Sequence, residues 1–387
     1  MPLSSVLPRL IGVGLVLLLC TRLAAQPGDT LSPARSPLLR LADRVFGEDA
    51  PPGQPRYLFY PTLAYAPETS FEFGLSAVAL FYAKNDHLRN RLSEVQLFAF
   101  VTLERQYGLW LDHAIYGDGD RWFFLGKNRL QRFPLLYYGI GPDVVEAAPS
   151  LVQADYLLIR ERVLRRVAPN LFLGFEFDLQ DLRGGRFEPP PAVLPPGAAG
   201  SRNLGLGLGL VYDNRKNVLN TRKGSFAELA LLNYSPAWGS DWRFRSWNID
   251  LRHFIPTRSD QTQVLALQVL GQFVQGDAPF NQLALLGGEQ MMRGYYTGRY
   301  RDNNYLAVQA EYRFLPFPFS RRLGAAAFLA MGSVAPRVGD FSLGDTRAAG
   351  GVGLRFLLFP PKDIYVRLDM GLTREGPGFY FYTGEAF

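Results

Sequence analysis

Cysteine is almost absent from this sequence, which has a single one, Cys20, among 387 residues. It lies in the apolar run 10–20, which follows Arg9 and precedes an acceptable cleavage site at Ala25. A charged start followed by a short apolar run is typical of a secretory signal peptide, here residues 1–25. Cleavage after Ala25 removes Cys20, so we expect a mature protein with no disulfide bond and no thiolate metal site.

Long apolar runs are absent after the signal peptide. No later segment approaches about 18 consecutive apolar residues, which excludes a transmembrane helix. Yet 48% of the residues are hydrophobic and 14% are aromatic, and the sequence has 39 glycines. Abundant aromatic residues and glycines in short alternating segments are typical of a transmembrane β-barrel. A large soluble β-protein shares this composition, so the pattern along the chain must decide between the two.

Residues that carry catalysis or bind metals are scarce. The three histidines, His87, His113 and His253, are far apart and share no metal-ligand spacing. No Gly-x-Ser-x-Gly motif occurs, and the alternating glycines at 205–209 are not followed by a helix, as a phosphate-binding loop would be. We therefore predict no enzyme activity, no metal site and no cofactor. A Ser–His–Asp site assembled from distant positions stays open.

A large excess of one charge is also missing. Removal of Arg9 and Arg22 with the signal peptide lowers Lys and Arg from 41 to 39 against 35 acidic residues, a net charge of +4. This small balance does not argue for nucleic-acid binding.

Residues 26–56 are polar, rich in proline and glycine, and too short for a folded domain, so we predict a flexible periplasmic segment there.

Short alternating segments fill the rest of the chain, residues 57–387. In one of them Leu206 and Leu208 share a face, with Gly207 and Gly209 on the other. A barrel of this size turns its apolar face to lipid and its polar face to the lumen. A change of phase near Arg245 predicts a β-bulge. Sixteen strands are predicted, near 57–66, 70–83, 91–104, 106–116, 120–128, 150–165, 168–181, 202–213, 224–235, 241–255, 261–275, 303–315, 322–332, 346–358, 363–373 and 378–387.

Connection lengths alternate along these predicted strands. The long connections, 129–149, 182–201, 276–302 and 333–345, all follow odd-numbered strands, and most connections after even-numbered strands are short turns. Outer-membrane barrels have long extracellular loops and short periplasmic turns. A soluble protein has no reason to sort its loops in this way. We therefore predict an all-β, antiparallel transmembrane barrel of about 16 strands in the bacterial outer membrane.

The loop before the twelfth predicted strand carries the most specific motif. Gly287 and Gly288 are followed after four residues by Arg293, Gly294 and Tyr295. Glycines permit a tight backbone path, and arginine offers a planar fork of donors. An exposed hairpin loop is the simpler interpretation of Arg-Gly-Tyr alone. The longer pattern resembles the signature loop of the outer-membrane assembly and translocation superfamily, which includes BamA, TamA and two-partner secretion transporters.

This resemblance implies several features. The loop, extracellular in sequence, would fold into the barrel, and its arginine would meet an acidic group near the C-terminal end. Asp369 matches that position, so we expect a bidentate pair between Arg293 and Asp369, although Asp369 could instead pair with Arg367 or Arg355 or simply face water. Phe387 resembles the C-terminal signal of outer-membrane barrels, on a strand that closes the barrel. The turn at 213–224 resembles a recurrent turn of the family, and we assign it a structural role.

The same resemblance implies work on other proteins, either their insertion into the outer membrane or their passage across it. Expected partners are outer-membrane lipid and unfolded outer-membrane or secreted proteins. Family members carry periplasmic POTRA domains where this sequence has only residues 26–56, so a separate periplasmic partner chain is a further expectation. The alternative is a passive channel or transporter. A phospholipase-type enzyme is a weaker third interpretation, which requires a Ser–His pair.

Overall fold

A computed structural model describes residues 53–66, 70–103, 106–132, 135–144, 149–215, 217–218, 220–360 and 363–387. These residues belong to one compact unit, Glu48–Phe387. The predicted signal peptide, 1–25, and the predicted periplasmic segment up to residue 52 lie outside the described residues.

Strands make up almost all the regular structure of the described residues. The strands are β1 (Arg56–Ala66), β2 (Ser70–Tyr82), β3 (Leu92–Thr102), β4 (Tyr107–Tyr116), β5 (Trp122–Arg132), β6 (Leu135–Tyr137), β7 (Ser150–Ala168), β8 (Leu171–Glu188), β9 (Gly200–Asp213), β10 (Gly224–Tyr234), β11 (Phe244–Pro256), β12 (Gln263–Gly276), β13 (Ala284–Leu286), β14 (Tyr300–Asp302), β15 (Asn304–Phe314), β16 (Leu323–Ala335), β17 (Arg347–Phe359), β18 (Ile364–Thr373) and β19 (Gly376–Thr383). Short 3-10 turns occupy Ala83–Asn85, Asp118–Asp120, Pro236–Trp238, Val338–Asp340 and Leu343–Asp345. No helix in the described part of the chain is long and apolar enough to cross a membrane.

Sixteen long strands of the described chain pair antiparallel in sequence order around a nearly closed barrel. The short β6 adds to the edge of β7, and β13 and β14 form a separate hairpin inside the loop after β12. Each predicted strand corresponds to one long strand, so the predicted fold class is confirmed. The end with the short turns is the periplasmic end and the end with the long loops is the extracellular end, as in other outer-membrane barrels.

The two faces of the wall differ as the alternation predicts. Leu206 and Leu208 point outward and are exposed, whereas Gly209 on the same strand is buried. On β8, Phe175 is 74% exposed while its neighbour Glu176 is 2% exposed. Since apolar side chains cover the outside and polar ones the inside, the outer surface is built to contact lipid.

The β-bulge predicted near Arg245 is wrong. β11 pairs with β10 and β12 in continuous register over its whole length. Phe244 points inward and packs with Tyr234 and Val274, because the inner wall is apolar at the extracellular end. The apparent change of phase arises because the inner face of β11 is apolar at the extracellular end and polar further along the strand, while the register of the strand stays regular. Register shifts occur instead between β7 and β8 and between Leu357 and Phe359 on β17.

Apolar side chains from β6, β7, β8 and the long loops pack together at the extracellular end. The rings of Tyr137, Phe187 and Phe280 contact one another, with centroids 5.4–6.0 Å apart. Val152, Ala154 and other apolar side chains complete this cluster, which we call the extracellular cap. Much of the segment predicted as the loop 182–201 is strand, because β8 extends to Glu188 and β9 begins at Gly200.

The barrel is weakest where its first and last strands meet. β1 pairs with β2 from Arg56↔Leu80 to Ala66↔Ser70, along its full length. Against β19, by contrast, Tyr65↔Phe381 is the single registered pair among the described residues. We call this junction the seam. Both strands therefore have backbone groups along the seam that the sheet does not pair.

Candidate functional site

The loop after β12 depends on glycines for its path. Gly287, Gly288 and Gly294 have φ angles of 115°, 126° and 114°, which residues with a Cβ rarely adopt. A Cβ on Gly287 would lie 2.1 Å from the carbonyl oxygen of Tyr296. The hairpin of β13 and β14 closes the base of this segment, residues 287–299, which we call the inward loop.

Arg293 at the tip of the inward loop is 1% exposed. Its Nη1 donates to Asp369 Oδ2 at 2.6 Å, and its Nη2 donates to Glu311 Oε2 at 2.5 Å. The central carbon of the guanidinium also lies 3.5 Å from the ring centroid of Phe328, a close cation–π contact. Arg293 thus connects the loop to strands β15, β16 and β18.

The expected bidentate pair between Arg293 and Asp369 does not form. Arg355 Nη1 donates to Asp369 Oδ1 at 2.5 Å, which leaves Oδ2 for Arg293 and for Arg367 Nη1. The guanidinium fork of Arg293 therefore spans two carboxylates on different strands. The alternative partners of Asp369, Arg355 and Arg367, contact it as well, so all three arginines share one acid.

A larger network of buried charges surrounds this contact. Glu311 Oε1 accepts from Arg313 Nε at 2.7 Å, and Glu385 Oε2 accepts from Arg355 Nε at 2.9 Å. Because buried charges are stable only when they are paired, removal of one member of such a network costs about 3–5 kcal/mol. The network contains four arginines and three carboxylates: Arg293, Arg313, Arg355, Arg367, Glu311, Asp369 and Glu385.

Gly371 and Gly294 let the loop backbone touch the wall. A Cβ on Gly371 would lie 2.4 Å from the carbonyl oxygen of Arg293 and 2.7 Å from the amide nitrogen of Gly294. A Cβ on Gly294 would lie 2.5 Å from Cγ2 of Thr373. The wall therefore fits this loop only when both positions lack a side chain.

Tyrosines fix the backbone beside this contact. The hydroxyl of Tyr380 accepts from the amide of Gly294 at 3.0 Å and donates to the carbonyl of Tyr295 at 3.3 Å. Tyr295 is 1% exposed and packs edge-on against Tyr300. Since Tyr380 belongs to β19, these bonds tie the loop to the last strand of the barrel.

A second ion pair holds the base of the inward loop. Arg299 Nε donates to Glu375 Oε2 at 2.7 Å, and the Tyr300 hydroxyl donates to Glu375 Oε1 at 2.8 Å. Glu375 lies in the connection between β18 and β19. The loop is thus attached at two levels to the same pair of strands, which lie next to the seam.

Sequence reasoning missed several members of this site. Alternation turns Glu311, Arg313 and Arg355 toward the lumen, where water would surround them in an open barrel, but all three are fully buried. Their inward orientation follows from alternation, yet their convergence depends on the order of strands in space. The signal that could have revealed this network is a pair of like charges on neighbouring strands. Arg355 lies opposite Arg367, so a carboxylate is needed between the two guanidinium groups.

Phe387 lies inside the barrel and not on its last strand. β19 ends at Thr383, and Gly384, with φ of 89°, turns the chain inward. The carbonyl of Phe387 accepts from Arg313 Nη2 at 3.0 Å, and its ring packs near Phe254. The expectation that the closing strand reaches residue 387 is therefore wrong by four residues.

The described residues contain no cluster of three His, Cys, Asp or Glu side chains placed to hold a metal ion. A Ser–His pair does exist, because Ser225 Oγ lies 2.8 Å from Nδ1 of its cross-strand neighbour His253. No carboxylate in the described part of the chain contacts this imidazole. The pair therefore lacks the third member of a Ser–His–Asp site.

Comparison with solved structures supports the fold. BamA from Haemophilus ducreyi lacking POTRA domains 1–3 is 14% identical, with a TM-score of 0.55, over 85% of this chain and 70% of that one. CdiB from Acinetobacter baumannii is 12% identical, with a TM-score of 0.57, over 85% of this chain and 59% of that one. CdiB from Escherichia coli is 12% identical, with a TM-score of 0.53, over 84% and 62%.

The chain thus spans about three fifths of each CdiB chain that it matches. No curated protein matches its sequence. The model of the Omp85 superfamily domain matches residues 169–387, more than half of the chain. This stretch includes the inward loop, its buried charge network and the last strand, and the protein is therefore an outer-membrane β-barrel that belongs to the Omp85 superfamily.

Proposed function

We propose that this barrel assists the insertion of proteins into the outer membrane or their translocation across it. The observation that carries the proposal is the seam. Tyr65↔Phe381 is the single registered pair between β1 and β19 in the described part of the chain, while β1 and β2 pair along their full length. An unpaired strand edge is a template for another strand, so an unfolded chain can add to β1 or β19 by β-augmentation.

The inward loop supports this proposal because of where it is attached. Its bonds reach Asp369 on β18, Glu375 before β19 and Tyr380 on β19. They hold one side of the seam in place from within the lumen. A fixed β19 beside a weakly paired β1 allows the junction to open without loss of the rest of the barrel.

Expected partners follow from this mechanism. Lipid contacts the apolar outer wall, and unfolded outer-membrane or secreted proteins are the substrates. A separate periplasmic chain delivers them. We assign Gly287, Gly288, Arg293, Gly294, Tyr295 and Asp369 to the contact that holds the loop, and Phe387 to recognition of this chain by the barrel-assembly machinery. We propose no enzyme activity and no cofactor for the protein.

Depletion of the protein tests the function directly. We expect the loss of several unrelated barrels from the outer-membrane proteome, or the retention of secreted proteins in the periplasm. An unchanged proteome and unchanged secretion would count against the proposal. Re-expression of the wild-type chain must restore the missing proteins.

A cross-link at the seam tests the mechanism. The substitutions Tyr65→Cys and Phe381→Cys place two thiols opposite each other, and a bridge between them should abolish the rescue of depleted cells. The control pair, Leu63→Cys with Phe73→Cys, lies opposite in the continuous β1–β2 ladder. A bridge there should leave the rescue intact. Equal rescue by both bridged proteins would show that the seam is not the working site.

A passive channel or transporter is the alternative. The inward loop and its charge network lie in the space that a channel would need, and this placement favours the first proposal. The two functions differ in conductance, because an open channel carries a steady current and a filled lumen does not.

A further inference from the structure

One periplasmic turn is anchored far from its own strands. The turn between β9 and β10 ends in residues 220–223, which are all described, and we call these four residues the cross-turn. The start of the turn is fixed locally: Asp213 Oδ1 accepts from the amide of Arg215, and Asn214 Oδ1 accepts from the amide of Ser225. Gly224 supplies a positive φ of 122°.

Arg222 in the cross-turn bonds to three other periplasmic turns. Its Nε and Nη2 donate to the two carboxylate oxygens of Asp363 at 2.6 and 2.7 Å, a bidentate pair. Its Nη1 donates at 2.7 Å to the carbonyls of both Gln261 and Leu315. These residues lie in the turns β17–β18, β11–β12 and β15–β16. One side chain therefore ties four turns together.

These contacts reach across the mouth of the barrel. β9 and β10 are the eighth and ninth of the sixteen long strands, while Asp363 lies between the fourteenth and fifteenth. Strands six positions apart in a ring of sixteen are on nearly opposite sides. Asn220 in the cross-turn is 1% exposed and donates to the carbonyl and the carboxylate of Asp363, at 3.2 and 3.0 Å. The cross-turn thus packs beneath the lumen.

A second obstruction lies near the same end of the lumen. The segment after β19 turns inward, and Phe387 packs against Phe254, Val264 and Ala266 on the inner wall of β11 and β12. Arg313 bonds to its carbonyl. A polypeptide that entered the lumen from the periplasm would have to displace both the cross-turn and this segment.

We infer that the cross-turn is a permanent closure of the periplasmic mouth, so that the substrates of this barrel are strands that enter the membrane and not secreted chains that thread the lumen. This inference rests on the proposed function and chooses between its two forms. Opening the mouth would break four hydrogen bonds of Arg222 and expose the buried Asn220. Opening the seam breaks the one registered backbone pair that joins β1 and β19 among the described residues. Opening the seam therefore breaks fewer interactions than opening the periplasmic mouth.

A cross-link that locks the cross-turn tests the inference. The substitutions Asn220→Cys and Asp363→Cys place thiols at two positions that are already in contact, and Cys20, the one native cysteine, lies in the predicted signal peptide. Cells that depend on the bridged protein should keep wild-type levels of outer-membrane barrels. Each single cysteine variant serves as the control for the substitution itself. Loss of barrel assembly, or of secretion, in the bridged protein alone would overturn the inference.

The outcomes separate this inference from the proposed function. If the unbridged wild-type chain restores neither barrels nor secretion to depleted cells, the proposed function fails. If it restores them and the cross-turn bridge blocks the rescue, only the inference fails. If the cross-turn bridge is harmless while the bridge between Tyr65→Cys and Phe381→Cys blocks the rescue, both stand.

Conductance gives a second measurement. In planar bilayers, a barrel that lacks residues 287–299 and also carries Arg222→Ala should conduct several-fold more than a barrel with the loop deletion alone, because the cross-turn loses the four hydrogen bonds of Arg222. Arg258→Ala is the matched control, since Arg258 lies in the neighbouring β11–β12 turn and pairs within that turn with Asp260. Heat-modifiable migration in gels establishes that both variants fold. Equal conductance of the loop-deleted barrel with and without Arg222→Ala would show that the cross-turn does not close the mouth.

Discussion

Arg293 lies where two carboxylates from different strands point at one position, and this geometry requires a guanidinium. One amino group reaches Asp369 and the other reaches Glu311, at 2.6 and 2.5 Å. The planar face of the same group rests on Phe328. An ammonium is a compact point charge and cannot make these three contacts at once.

Replacement of Arg293 by alanine should release the inward loop while the barrel still forms. Two buried carboxylates lose a partner, so we expect a loss of about 3–5 kcal/mol in stability. Arg293→Lys should be nearly as damaging, because it cannot reproduce the fork. The measurement is limited proteolysis of intact membranes, with cleavage expected within residues 287–299. Arg132→Ala is the control, since Arg132 forms an exposed pair with Asp155. Equal protease resistance in both alanine variants would contradict the role of Arg293.

Gly371→Ala should displace the loop by steric conflict alone. The new Cβ would lie 2.4 Å from the carbonyl oxygen of Arg293, and that atom is backbone and cannot rotate away. Gly209→Ala is the matched control, because the nearest atom to a Cβ on this inward glycine, Oε2 of Glu176, would be 3.6 Å away, an ordinary contact. We expect the Gly371→Ala barrel to unfold at a lower temperature than the Gly209→Ala barrel. A pair of variants with equal melting behaviour would show that the loop does not need this space.

The sequence predicts part of this site for a clear reason. Alternation along β18 places Asp369 and Gly371 toward the lumen, because successive side chains of a strand point to opposite faces. It does not predict that Glu311 shares Arg293, since that depends on how far apart β15 and β18 lie in the barrel. Nor does it predict that Arg355 occupies one oxygen of Asp369 and so prevents a bidentate pair.

At the scale of single elements, contact with lipid explains which strands can be predicted from the sequence. A strand in contact with lipid on one side and a polar lumen on the other alternates strictly, as β9 does. At the extracellular end this rule fails, because the interior is apolar beneath the extracellular cap. Phe244 is the example: it points inward on a regular strand, although the sequence pattern suggests a bulge.

The seam makes β19 the least protected of the long strands. Its amides toward β18 are paired from Val366↔Thr383 to Thr373↔Gly376, but toward β1 Phe381 has the one registered partner among described residues. Amides without a ladder partner exchange quickly with solvent when water reaches them. In detergent or nanodiscs, β19 should take up deuterium faster than β16, which is paired on both sides. Equal protection of β16 and β19 would mean that the seam is closed in solution.

The whole molecule is a barrel whose lumen is largely filled. Sixteen-stranded barrels have room for an aqueous channel. Here the extracellular cap packs at one end, the cross-turn lies beneath the other, and the inward loop occupies space between them. A lumenal cavity of about 580 Å³ lies beside the loop, and Asp112, Lys127 and Arg160 are among the residues that line it.

Conductance distinguishes an assembly factor from a passive channel at this scale. Because the inward loop is held by buried charges and not by an exposed latch, thermal motion should open the lumen only rarely. We therefore expect the wild-type protein to give small, irregular currents in planar bilayers. Deletion of residues 287–299 should raise the current, because it removes both Arg293 and the backbone that Gly371 and Tyr380 contact. Large and stable openings should appear only when the deletion is combined with Arg222→Ala, because the cross-turn otherwise stays in place. Arg293→Ala should lie between the wild type and the loop deletion, since the base of the loop keeps its bond from Arg299 to Glu375. Large, steady, porin-like currents from the wild-type chain would favour the channel, because a lumen filled in this way cannot carry them.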